Sequence, residues 1–158
     1  MYSSNFFRLL PVYQYYAEKP ERFLYSVNPN IKDGWKQGPV EFYGHERAAQ
    51  DIVAIYRFVA TSPYYRYQYS TQSTINGSGW KNEGIAFYAA DKQRRRNYVP
   101  VYQYYAVENG NWRYRYSLDS TLGRGWVKEK VAFYVPPSRP SFPDWCAPVV
   151  FDTHCGLL

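Results

Sequence analysis

Cysteine and histidine are scarce in this chain, and apolar runs long enough to cross a membrane are missing. Two cysteines and two histidines occur in 158 residues. No apolar stretch approaches the roughly 20 residues that a spanning helix needs, so membrane insertion is not expected. No G-x-S-x-G, no phosphate-binding glycine loop and no H-E-x-x-H is present. His45 and His154 stand apart from the repeated motifs described below. An enzyme is therefore not expected, and no cofactor is implied. Cys146 and Cys155 are spaced to close a small loop as a disulfide, with free thiols the alternative. A metal site built from Cys146, His154 and Cys155, with Asp152 nearby, lacks the usual four-ligand spacing, so none is expected. Met1 to Leu10 carry neither the charged nor the apolar region of a signal peptide. The expectation is an extracellular or secreted protein, numbered from its mature start or exported by an unconventional route.

Aromatic residues are abundant: 19 Tyr, 9 Phe and 5 Trp. Such rings build β-rich cores, and they also give a surface rigid, amphipathic grips for a ligand. The formal charge is +6, with a cluster at Arg94-Arg95-Arg96. A nucleic-acid protein would spread Lys and Arg along one face, so the cluster reads as a solvated loop and nucleic acid is not the expected partner.

The aromatics recur in order. A first box reads Val12 to Ala17, Ile55 to Ala60 and Val101 to Ala106. A second reads Arg22 to Ser26, Arg66 to Ser70 and Arg113 to Ser117. Gly34-Trp35, Gly79-Trp80 and Gly125-Trp126 open a third, and Phe42-Tyr43, Phe87-Tyr88 and Phe133-Tyr134 close a fourth. The three tryptophans stand 45 and 46 residues apart. A period of this length marks units that cannot bury their apolar faces alone. One domain over residues 1–158 is expected, with repeats at 10–44, 52–89 and 98–135 and a proline-rich tail over 136–158.

Each box reads as a strand bounded by turn chemistry such as Glu18-Lys19-Pro20 and Asn76-Gly77-Ser78-Gly79. Four boxes in three units make twelve strands. The expected fold is all-β with threefold pseudosymmetry, a β-trefoil, with a β-prism-like three-sheet arrangement as the alternative. Trp35, Trp80 and Trp126 are expected to plug one layer of the core, as are the Phe-Tyr pairs and Tyr25, Tyr69 and Tyr116.

The second box also turns a face outward, with Arg22, Arg66 and Arg113 and then Leu24, Gln68 and Arg115. Aromatics precede it at Tyr64, Tyr65 and Trp112, and carboxylates follow the Gly-Trp at Glu83 and Glu129. Repeat one has Pro20, Glu21 and Gly38 at the corresponding places. A pyranose needs a ring for its C–H face and charged or amide groups for its hydroxyls. The expected carbohydrate site therefore comprises Tyr65, Arg66, Gln68 and Glu83 in repeat two, and Trp112, Arg113, Arg115 and Glu129 in repeat three. The plainer reading is an exposed strand whose Arg and Glu pair at little gain. Asn76-Gly77-Ser78 also fits an N-glycosylation acceptor in a turn.

Gly79-Trp80-Lys81-Asn82-Glu83-Gly84-Ile85-Ala86-Phe87-Tyr88 resembles the G-W-x-x-E-G-x-A-x-Y ending of an uncharacterised family of tandem-repeat, largely secreted proteins. Gly125 to Tyr134 fits it except at Lys130, whereas Gly34 to Tyr43 departs at Gly38, Pro39 and Glu41. In overall build the chain is similar to small repeat lectins of marine invertebrates that bind galactosides and N-acetyllactosamine. That resemblance implies a multivalent, non-enzymatic galactose-type lectin whose partners are glycans on cell surfaces or glycoproteins, with a homodimer to raise avidity. The alternatives are a nucleic-acid module and a structural interaction protein.

Overall fold

The computed structural model describes residues 8–93 and 97–137. Arg94, Arg95, Arg96, the tail beyond Pro137, Cys146 and Cys155 lie outside the described residues. The described chain is all-β, with nine strands rather than twelve: β1 (Leu9–Ala17), β2 (Arg22–Ser26), β3 (Lys36–His45), β4 (Ile52–Ala60), β5 (Arg66–Ser70), β6 (Lys81–Ala90), β7 (Val99–Glu108), β8 (Asn111–Ser117) and β9 (Val127–Val135). The third and fourth boxes of each repeat run on as one strand. Gly38-Pro39 and Gly84 lie within these strands without breaking them, and a β-bulge absorbs the irregularity. It falls between Val12 and Tyr15 in the β1–β3 pair, and at matching places in the β4–β6 and β7–β9 pairs.

Every pair is antiparallel. In each unit the first strand lies between the other two: β1 pairs β2 and β3, β4 pairs β5 and β6, β7 pairs β8 and β9. The units join at the ends of their third strands, through His45↔Tyr88 and Ala90↔Tyr134. The result is one open antiparallel sheet. The second strands β2, β5 and β8 also lie against one another.

Tyr25, Tyr69 and Tyr116 meet at the centre, each at most 2% exposed, with ring centroids 5.7, 5.1 and 5.4 Å apart. Their hydroxyls close a cycle. The Tyr25 N–H donates to the Tyr69 hydroxyl at 2.7 Å, the Tyr69 N–H to the Tyr116 hydroxyl at 2.7 Å, and the Tyr116 N–H to the Tyr25 hydroxyl at 2.9 Å. A buried N–H without a partner is costly, and here each is satisfied by the next unit's phenol. Phe42, Phe87 and Phe133 form a second layer with centroids 5.5–5.6 Å apart, each ring stacked on its own unit's tyrosine. Val12, Ile55 and Val101 complete the core. Phenylalanine could fill this space, but only tyrosine also supplies the hydroxyl, which accounts for tyrosine at these three positions.

The tryptophans correct the expectation. Trp35, Trp80 and Trp126 are half-buried and plug no central layer. Each follows a glycine with φ of +90, +87 or +89°, and a backbone in that region leaves the indole at the unit's flank. Leu24, expected to face outward, is 5% exposed.

Candidate functional site

Alternation along the second strand sends successive side chains to opposite faces. Arg22 therefore lies over Trp35 of its own unit, 5.1 Å from the ring centroid, while Phe23 meets Trp126 of the third unit at 5.6 Å. The other units do the same. Arg66 lies over Trp80 at 5.2 Å and Arg113 over Trp126 at 5.4 Å. Tyr67 meets Trp35 and Tyr114 meets Trp80, both at 5.9 Å. Three seams result, each with a tryptophan and an arginine from one unit and an aromatic ring from the next.

The seam between units one and two holds Trp35, Arg22 and Tyr67, with Arg57 5.9 Å from the Tyr67 ring. Arg57 Nε donates to Glu83 Oε1 at 3.0 Å, and about three-tenths of each side chain remains exposed. Burial is the main reason the Tyr67 hydroxyl titrates above its usual range, with Glu83 adding to the effect. The seam between units two and three holds Trp80, Arg66, Tyr114 and Gln68. Gln103 Nε2 donates to Glu129 Oε2 there at 2.6 Å. Burial again raises the Tyr114 hydroxyl, against a hydrogen bond to Gln68.

The third seam differs. Arg115 joins it, 5.2 Å from both Phe23 and Trp126. Gly38 stands where the other units have glutamate, and a Cβ there would lie 2.8 Å from the Gln14 carbonyl oxygen. Repeat one carries its carboxylate at Glu41 instead, where the other units have Ala86 and Ala132. Desolvation raises the Glu41 carboxyl above its usual range and the Arg115 charge opposes the shift.

The eight residues expected from sequence are thus sorted in a different way. Arg66 and Gln68 are grouped with Trp80, Tyr114 and Glu129 rather than with Glu83. Glu83 is bonded to Arg57 at the seam that holds Trp35. Arg113 and Arg115 share a face, and Trp112 lies on the other, tilted against Tyr105 at 5.2 Å. Tyr65 and Trp112 are exposed, at 53% and 43%. Arg57, Gln103 and Glu41 were not singled out from sequence. The available signals were the break in the first box, where Arg57 replaces the glutamine of Gln14 and Gln103, and the departure of Glu41 from the repeat ending.

At one end of the molecule the turns between first and second strands meet. They enclose a shallow hollow of about 360 Å³ lined from all three units, by Lys19, Pro20 and Glu21, by Tyr64, and by Glu108, Asn109, Asn111 and Arg113. Arg113 donates to Glu21 Oε1 at 2.7 Å and lies 3.8 Å from Glu108. Among the described residues no group of three or more His, Cys, Asp or Glu is placed to hold a metal ion.

The model of a family described as a domain of unknown function (DUF5648) matches residues 2–89 and, overlapping, residues 63–136. Two matches to one family fit a chain built of repeats. No curated protein and no solved structure matches.

Proposed function

The chain belongs to the DUF5648 family, and we propose that it is a non-enzymatic carbohydrate-binding protein, a lectin for galactose- and N-acetyllactosamine-type glycans. One observation carries the reading. Each seam presents a half-exposed indole beside a guanidinium and a second ring, and two of the three add a carboxylate already oriented by Arg57 or Gln103. Rings take the C–H face of a pyranose, and fixed carboxylate and guanidinium groups chelate its hydroxyls. Catalysis by a carboxylate pair would need both groups across one scissile bond. Glu83 and Glu129 instead occupy separate seams, each bonded to a neighbour.

The three units are arranged in this reading about a pseudo-threefold axis. The closed tyrosine cycle supports that, and three three-stranded units favour the three-sheet alternative over a trefoil. Shallow repeated sites bind weakly one at a time, and two or three on one chain, or a homodimer, multiply the avidity. The partners in this reading are glycans on cell surfaces or glycoproteins, and an extracellular or secreted location goes with them.

A glycan array tests this. Galactose-terminated glycans should bind, with little response to salt, and Glu83→Gln combined with Glu129→Gln should weaken them. Failure of every neutral glycan at any density would refute it. Binding of single-stranded oligonucleotides that collapses as salt rises would favour the nucleic-acid reading instead. A structural or interaction role has its own observation: Val40, Ile85 and Val131 occupy equivalent positions and are 39–50% exposed.

A further inference from the structure

The hollow at the hairpin end adjoins the third seam, with which it shares Arg113. It lies where the third unit departs from the other two: Lys19-Pro20 and Ser62-Pro63 place a cis proline at the same point of the turn, where the third unit has Asn109 followed by Gly110. Arg113 shows what the divergence does. Its equivalents stay within their own hairpins, Arg22 donating to the Pro20 carbonyl at 3.2 Å and Arg66 to the Ser62 carbonyl at 2.8 Å. The third hairpin turns tightly at Asn109-Gly110, with both strands paired up to Glu108↔Asn111. Arg113 instead crosses to Glu21 of the first unit. Its side chain is 14% exposed, and its Nε–H is buried without an acceptor.

The lining is charge-balanced, with Lys19 and Arg113 against Glu21 and Glu108. That balance disfavours a polyanion. Donors and acceptors nonetheless crowd a small space: two carboxylates, the amides of Asn109 and Asn111, and a guanidinium held by an ion pair. Tyr64, 41% exposed, supplies a ring at the rim. A neutral, polyhydroxylated ring suits that combination, and about 360 Å³ lies near the low end for small-ligand pockets.

We propose that this hollow is a single composite site for the terminal saccharide of a neutral glycan, built jointly by the three hairpins and distinct from the seams of Trp35 and Trp80. The ligand class rests on the carbohydrate reading above; the location does not. Tyr64 takes the sugar's C–H face, Glu21 and Glu108 accept from hydroxyls, and Asn109 and Asn111 donate to ring or hydroxyl oxygens. One molecule then binds one such residue, whatever the seams do.

The test is titration of the full chain with lactose and with N-acetyllactosamine, followed by amide NMR shifts and calorimetry. The expected result is shifts centred on the Asn109 and Asn111 side-chain amides. Tyr64→Ala and Glu21→Gln should each weaken this site by about fivefold or more, as a lost ring or charged contact would. Lys92→Ala, at an exposed turn outside both the hollow and the seams, should leave it unaltered. Both hollow variants alter exposed turn positions, and an unchanged Tm shows that they fold. If sugar binds but Tyr64→Ala and Glu21→Gln bind as well as the parent, the hollow is refuted and the seams remain. If no neutral sugar shifts any resonance, the carbohydrate reading falls and this ligand class falls with it.

Discussion

Replacing Tyr69 by phenylalanine removes one hydroxyl from the centre of the molecule and leaves the ring. That hydroxyl accepts from the Tyr25 N–H at 2.7 Å and donates to the Tyr25 carbonyl at 2.8 Å. Both partners are buried, so the variant strands a donor and an acceptor where water cannot replace the phenol. An unsatisfied buried group costs about 1–3 kcal/mol. The carbonyl retains a second lone pair and loses less, giving a total of about 2–4 kcal/mol. For a domain of this size that lowers Tm by roughly 5–15 °C. Urea unfolding followed by circular dichroism gives the free energy directly, provided the m-value is unchanged. Tyr64→Phe, at an exposed turn, is the control and should lie within about 0.5 kcal/mol of the parent. Because the three phenols form a cycle, Tyr69→Phe combined with Tyr116→Phe should be non-additive by about 0.5 kcal/mol or more. A Tyr69→Phe protein as stable as the parent would refute the view that these hydroxyls satisfy backbone groups rather than merely fill space.

Two further predictions follow from the core. Burial pushes the Tyr25 hydroxyl up to about 12 and lifts Tyr69 and Tyr116 as well, so the folded state holds these protons more tightly than the unfolded chain does. Their contribution is fully present below about pH 10 and is lost as pH rises towards 12, at about 1.4 kcal/mol per pH unit for each tyrosine. Denaturation at pH 9, 10 and 11 should show that fall, a flat profile would refute it, and Tyr25→Phe should reduce the slope. Phe133→Ala, at 1% exposure, should cost about 3–5 kcal/mol, and Trp126→Ala, at a half-buried seam, less. The opposite order in melting experiments would return the tryptophans to the core.

Much of the fold was legible before any coordinates. The three strand triplets span 9–45, 52–90 and 99–135, within about a residue of the repeats drawn from sequence. Tyr25, Tyr69 and Tyr116 and the phenylalanines of the Phe-Tyr pairs are core as expected. The strand number was misjudged because Gly38-Pro39 and Gly84 are consistent with a turn or with a bulge, and here they lie within β3 and β6 where the register shifts. Nor could a repeat read in isolation show that Arg66 is grouped with Tyr114 and Glu129 rather than with its neighbour in sequence, Glu83.

The sequence by itself determined an all-β chain of repeated units and the residue types that build them. Strand alternation and turn chemistry act over a few residues, and a repeat places the same local instructions three times. Tertiary structure alone decided which unit completes which site. The Tyr25 amide finds its acceptor 44 residues away, and Arg113 finds Glu21 at a separation of 92. Those pairings depend on how separate units pack, since a buried N–H takes whichever acceptor the packed neighbour brings within reach. The seams and the hairpin-end hollow are properties of the assembled molecule, because no single repeat contains all of their parts.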